Sequence, residues 1–233
     1  MEDTVIKYKR QAAERAVEFV ESGMVVGLGH GSTALFAVHR IAELLSRGDL
    51  ANITGVPCSR YIESEAERVG IPLADLEDHP VVDLTIDGAD EVDPSFNLIK
   101  GGGGALLREK VVAQASQREI IIVDESKLSP ALGTKWPVPI EVLQFGWRPE
   151  MEFLISLGAA VELRRRDVSA LFVSDQGNWI LDADFGPIAD PLALAAHLDA
   201  RAGIVGHGLF LGLATVVVVA GVDGLKVTHC EEK

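Results

Sequence analysis

Apolar positions along the 233-residue chain fall into two alternating patterns. Residues 4–21 place Ala12, Ala13, Ala16, Val17 and Val20 on one stripe, the 3.6-residue spacing of an amphipathic helix, with Lys7, Lys9, Arg10 and Arg15 among the remaining positions. Short β-branched runs follow at 24–26, 53–57, 81–86 and 119–123, and between them 35–45, 61–69 and 105–115 carry helix-forming patterns. Strand and helix in strict alternation predict right-handed βαβ units and a parallel sheet whose carboxyl edge collects the loops. Past Pro130, Pro137 and Pro139 the pattern changes. Residues 138–142 read as a strand and 149–157 as a helix. The runs Leu171-Phe172-Val173 and Trp179-Ile180-Leu181 flank Asp175-Gln176-Gly177-Asn178, which is hairpin-turn chemistry. Residues 208–212 and 214–220 read as buried strands that return the chain to its first part. The expected fold is therefore α/β: a Rossmann-like parallel sheet flanked by helices (1–136 with 206–233), with a smaller α+β lobe (137–205) inserted before the C-terminal strands.

Charge narrows the partners. Lys plus Arg is 21 against 35 Asp plus Glu, a net of −14, which repels nucleic acid and anionic membrane surfaces. The apolar stretch 209–221 is too short and too glycine-interrupted to span a bilayer, and no charged-then-apolar leader opens the sequence. Cys58 and Cys230 are far apart and lack metal spacing, so a reducing, cytoplasmic compartment is expected.

Two stretches concentrate the chemistry. Around residues 27–34, strand, glycine-rich turn (Gly27, Gly29, Gly31) and helix follow one another, with Ser32 and Thr33 at the helix start, so main-chain N–H groups and two hydroxyls are available to an anion. A dinucleotide site fits poorly: Ser32 stands at the third glycine position, and no acid ends the 53–57 run to hold a ribose diol. A P-loop also fails, because no Lys precedes Ser32. A monoester phosphate is the better guest. The second stretch, 87–110, reads D-G-A-D-E-V-D-P-S-F-N-L-I-K-G-G-G-G-A-L-L-R-E-K. Asp87 and Asp90 leave a buried strand, Lys100 enters four glycines, and Glu109 follows within the first helical turn beyond them. Acids, a lysine and bare amides in one segment suit proton transfer on a polar substrate. Its rival is ordinary turn chemistry with a flexible connector. The six histidines lack a second ligand at metal spacing, so metal-dependent hydride shift is the weaker chemistry.

The motifs G-L-G-x-G-S-T-A, D-G-A-D-E-V-D, K-G-G-G-G-A-L-L-R-E-K, D-E-S-K and H-G-L-F-L, with W-P-V-P-I-E-V in the lobe, resemble those of ribose-5-phosphate isomerase A across nearly the whole chain. The resemblance implies an aldose–ketose isomerase of the non-oxidative pentose phosphate pathway, interconverting ribose 5-phosphate and ribulose 5-phosphate without metal or cofactor, as a homodimer or homotetramer. It implies Glu109 as catalytic base. It also implies a sugar-phosphate site formed by His30, Gly31, Ser32 and Thr33; by Asp87, Gly88, Ala89 and Asp90; by Lys100, Gly101, Gly102 and Gly103; and by Lys127, with Lys9 a further phosphate contact. Isomerisation through an enediolate then gives Lys100 the developing negative oxygen, and gives Asp87, supported by Asp90, the exchange of hydroxyl protons and ring opening. The alternative is a phosphosugar-sensing module on the same scaffold, which would need the phosphate grip but not the base. One departure stands out: the family's first loop usually reads T-G-S-T, and here His30 takes the threonine position. Its main chain suffices for the cradle, and its imidazole either leans over the anion or points away.

Overall fold

The computed structural model describes residues 2–230. In chain order the first elements are α1 (Glu2–Val17), β1 (Val25–Leu28), α2 (Ala34–Arg47), β2 (Thr54–Pro57), α3 (Arg60–Arg68) and β3 (Leu84–Asp87). Then come β4 (Glu91–Val92), β5 (Leu98–Ile99), α4 (Leu106–Ala115), β6 (Glu119–Asp124) and β7 (Val138–Val142). The remainder is α5 (Trp147–Ser156), β8 (Ala160–Leu163), β9 (Trp179–Asp184), α6 (Pro191–Asp199), β10 (Ile204–His207), β11 (Leu209–Phe210), β12 (Val216–Gly221) and β13 (Gly224–His229). These elements form two compact units, 1–89 with 108–127 and 212–233, and 90–107 with 128–211.

The first unit is built on a six-stranded sheet in the order β13-β12-β6-β3-β1-β2, parallel throughout except for the β12–β13 hairpin. Its inner strands are short and largely buried on both sides, as a sheet covered by helices requires, with β6 buried at all six positions, while the edge strand β13 is mostly exposed. The stripe expected on α1 is the one buried, with Ala12, Ala13 and Ala16 fully inside and packed in one core with Val38 and Ile41 of α2, Ile86 of β3 and Val218 of β12. Each of the valines and isoleucines contributes about 1.5–3 kcal/mol by leaving water, and each alanine less. Because β1 pairs with β2 on one side and β3 on the other, successive connections leave β1 in opposite directions. This is the switch point at whose carboxyl edge α/β sheets open a crevice.

The second unit holds a four-stranded antiparallel sheet, β10-β7-β9-β8, and a three-stranded one, β11-β5-β4. Its separate core gathers Ile140, Leu154, Leu181, Leu198 and Leu209. A parallel sheet with an antiparallel lobe is thus the architecture, as the pattern of periods predicts.

Several local expectations change. The first helix stops at Val17, not residue 21, because Phe19 and Val20 close turns onto Ala16 and Val17. Residues 171–173 form no strand. Leu171 makes one bridge to Arg165, the turn closes through Ser174 and Asn178, and β9 spends its two edges on β7 and β8. Of the run 208–212 only Leu209 and Phe210 are a strand, paired with β5. Helix α6, which Asp190 caps by accepting the Ala193 N–H, and the edge strands β8 and β13 add to the pattern read from sequence.

Candidate active site

In the first unit the candidate residues meet at the carboxyl ends of β1 and β3. Asp87 ends β3 fully buried, and its Oδ1 accepts the main-chain N–H groups of His30 (3.0 Å) and Gly88 (2.7 Å). Gly29 makes that approach feasible: a Cβ there would lie 2.4 Å from both Asp87 Oδ1 and the Ile86 carbonyl oxygen, while the Gly29 N–H itself donates to that carbonyl. The glycine turn is therefore locked onto β3 through its own amides, one on the Ile86 carbonyl and one on the Asp87 carboxylate. Beyond it, Thr33 stands at the N-cap of α2 without a side-chain capping bond; the Leu35 and Phe36 N–H groups close onto the Gly31 and Thr33 carbonyls, and the loop leading into the helix lies at the positive end of its dipole. Lys9, on α1, donates from Nζ to Ser32 Oγ at 2.9 Å, which brings a cation to this helix start. An amide cradle, two hydroxyls and an ammonium are the donor set a phosphate monoester needs.

The imidazole of His30 turns toward α3. Its Nδ1 lies 2.8 Å from Ser59 Oγ, and its ring stands edge-on to Tyr61 with centroids 6.0 Å apart. Ser59 is buried and caps α3, its Oγ also accepting the Ile62 N–H at 3.1 Å. At the end of the same sheet, β6 delivers buried Asp124, whose Oδ1 accepts the Ser126 N–H (3.0 Å), and a single 3₁₀ turn then carries half-buried Lys127. Glu109 occupies the first turn of α4 and is only 4 % exposed. A carboxylate that deep is costly to keep unless it has work to do.

In the second unit, Asp90 accepts the Gly102 N–H on Oδ2 at 2.7 Å, and its own N–H donates to Ile99. Lys100 continues β5 with its N–H bonded to Gly208; the residue is 2 % exposed, and its ammonium lies 5.5 Å from the centroid of the Phe210 ring. Gly101 and Gly104 close a turn through an N–H···O bond of 2.9 Å, leaving Gly102 and Gly103 exposed between them. The candidate residues thus divide at two points. The chain passes from the first unit to the second after Ala89 and returns at Arg108, so Asp87 and Glu109 belong to one unit and Asp90 and Lys100 to the other.

Sequence reasoning overlooked four supports. Ser59 holds His30, Phe210 lies against Lys100, and Glu91 accepts three N–H groups, from Gly133, Thr134 and Lys135. The fourth, Arg164, donates to the Gly101 and Gly102 carbonyls. Glu91 carried a signal as an extra acid in D-G-A-D-E-V-D, and Phe210 stands inside H-G-L-F-L; Ser59 and Arg164 are single residues outside the motifs. Among the described residues no group of three His, Cys, Asp or Glu side chains is placed to hold a metal ion, and no helix is long and apolar enough to cross a membrane.

Residues 54–224 match the family model described as ribose 5-phosphate isomerase A (phosphoriboisomerase A). The chain is 58 % identical over 218 residues to the ribose-5-phosphate isomerase A of Desulfatibacillum aliphaticivorans, covering 94 % of this chain and 95 % of that one. It is 59 % identical over 218 residues to that of Chloroflexus aurantiacus, with 94 % and 91 % covered. Among solved structures it superposes with a TM-score of 0.94 on a D-ribose-5-phosphate isomerase in complex with phospho-erythronic acid (39 % identity, 97 % of this chain and 99 % of that one). The ribose 5-phosphate isomerase of Plasmodium falciparum superposes equally well, at 0.94, with 40 % identity and 97 % and 100 % covered.

Proposed function

The chain belongs to the ribose 5-phosphate isomerase A family and is an aldose–ketose isomerase of the pentose phosphate pathway, interconverting ribose 5-phosphate and ribulose 5-phosphate; we propose how its own residues divide that work. Glu109 is the base that carries the proton between C1 and C2 through an enediolate. Its place in the first turn of α4 and its burial support this role, since a single base that keeps its proton from bulk water can return it to the neighbouring carbon. Lys100 meets the oxygen that becomes negative. Its buried ammonium is a fixed charge that needs no reorganisation when the enediolate forms.

Asp87 exchanges hydroxyl protons and assists ring opening. The structure adds a second duty, because the same carboxylate ties the His30 and Gly88 amides together. Asp90 supports it while holding the Gly102 amide. The phosphate sits on the amides of Gly31, Ser32 and Thr33, with the hydroxyls of Ser32 and Thr33, and with Lys9 and Lys127 supplying charge; the His30 amide, held by Asp87, shapes the loop without reaching the anion. The observation that carries this assignment is the Lys9 Nζ to Ser32 Oγ contact beside the uncapped start of α2 and the amide-bound Asp87. A sugar-phosphate ligand agrees with the phospho-erythronic acid held by the superposed isomerase.

We assign no metal to the reaction, since base, ammonium and amides meet its needs. Turnover should survive exhaustive chelation; loss with EDTA and recovery on adding a divalent ion would overturn the mechanism. We further propose a homodimer or homotetramer in the cytoplasm, to be read from light scattering and fractionation. The direct test of the site is a coupled assay with ribose 5-phosphate, in which Glu109→Gln must lose turnover while still binding the sugar phosphate.

A further inference from the structure

We propose that Arg164 is a positioning residue for the isomerisation, acting through the glycine loop 101–104; this deepens the site reading above and rests on it. Arg164, its partners and the loop all lie within the second unit. Arg164 directly follows β8, and its N–H is fixed to the Ile180 carbonyl of β9. Its guanidinium forks onto Asp182 of β9, Nε donating to Oδ2 at 2.8 Å and Nη2 to Oδ1. The remaining nitrogen, Nη1, donates to two successive carbonyls of the loop, Gly101 (2.8 Å) and Gly102 (3.2 Å). The side chain is only 13 % exposed. Its guanidinium lies 5.7 Å from the centroid of the Phe172 ring, and that ring packs so closely on Gly104 that a Cβ there would come within 2.2 Å of it.

A trans peptide sends its N–H opposite to its C=O. With the Gly101 and Gly102 carbonyls drawn onto one guanidinium, the N–H groups of Gly102 and Gly103 both face the other way, and the first already meets Asp90 Oδ2. Gly101 takes φ +102°, a conformation that lets two successive amides point together. Arg164 thereby aims a pair of donors and fixes the exit of the chain from Lys100. Only a planar fork can serve a carboxylate and two carbonyls at once, so lysine is no substitute.

The effect belongs to orientation, where a displacement of about 1 Å costs about 10²-fold in rate. The experiment compares kcat and KM for ribose 5-phosphate, and the inhibition constant of phospho-erythronic acid, in the full-length wild type, Arg164→Ala, Arg164→Lys and Asp182→Asn. Arg164→Ala should lose about 10²-fold in kcat/KM, mostly in kcat. Arg164→Lys should stay impaired, and Asp182→Asn should fall between. Arg164 lines an open cavity of about 480 Å³ with Glu162, Leu163, Arg165 and Asp182, so millimolar guanidinium chloride can enter and should restore part of the turnover of Arg164→Ala, while equal sodium chloride does not. A merely structural arginine would show no such rescue. Both Arg164→Ala and Asp182→Asn within about twofold of wild type would overturn the proposal. So would a loss in Arg164→Ala that guanidinium does not relieve alongside a fully active Asp182→Asn, which also covers an alanine variant that fails to fold. Full activity in Glu109→Gln is the separate sign that the site reading itself, and this inference with it, has failed.

Discussion

The two glycine loops are held in opposite ways. Residues 27–33 lie against a buried strand, and the loop's main chain does the holding: Gly29 N–H reaches the Ile86 carbonyl and His30 N–H reaches Asp87. Residues 101–104 hang on side chains, with Asp90 gripping an amide and Arg164 two carbonyls. A loop fixed by main-chain contact is rigid at the cost of tolerating no added atoms. One fixed by side chains keeps its place only while distant residues keep theirs, and can be retuned by changing them. Under the roles proposed above, the first would hold a phosphate, whose geometry never varies, and the second a reacting carbon skeleton.

The largest expected effect concerns the proposed base. Glu109→Gln keeps shape and removes the base, so kcat should fall about 10²-fold or more while KM moves far less. Lys127→Ala should do the reverse and raise KM at nearly constant kcat. Steady-state kinetics on the two variants decide it: the opposite split would mean that the roles of the two residues are exchanged.

Adding one methyl group separates the loops themselves. In Gly29→Ala the new Cβ would meet the Ile86 carbonyl oxygen at 2.4 Å and the Asp87 Cα at 2.5 Å, atoms of a central strand that cannot yield. Overpacking of this kind costs about 1–3 kcal/mol, so the urea midpoint should drop along with activity. In Gly102→Ala the nearest atoms, at 2.7–3.0 Å, all belong to the Asp90 carboxylate, which can rotate aside. Stability should then stay within about 0.5 kcal/mol while kcat/KM falls about tenfold through the displaced Asp90. Equal destabilisation in both variants would mean that the two loops are held alike.

This contrast also explains what was legible in the sequence. Glycines wedged between a β-branched strand and a helix announce a main-chain cradle, because the requirement is local; the acids and lysine of 87–110 stand out for the same reason. The α/β sheet with an antiparallel lobe was readable from the change of period near Pro137. Arg164 was not, since it acts across 62 residues on Gly102 and sits in an arginine triplet that reads as a solvated face. The 171–173 run misled because its alternation is real. What decides pairing is the competition among edges, and β9 had both of its edges occupied by better partners. Asp190, whose carboxylate starts α6, was an unused local cue.

The smallest effect expected is at His30, where the departure from the family's usual threonine tests how far the first loop depends on its main chain. The Nδ1 contact to Ser59 draws the imidazole to the cap of α3, and Ser59 keeps the Ile62 N–H whether or not the ring is present. His30→Thr therefore removes one partly buried hydrogen bond and an edge contact with Tyr61, a loss on the order of 1 kcal/mol, visible as a shift of a few degrees in melting temperature. The His30 N–H to Asp87 bond and the close seat of Gly29 are main-chain features that threonine preserves. So kcat should stay within about twofold, and KM measured from pH 8 down through 6 should trace the wild-type curve. Divergence of the two KM curves on the acid side alone would show that the imidazole reaches the phosphate after all, and a fall in kcat at every pH would place His30 in the chemistry.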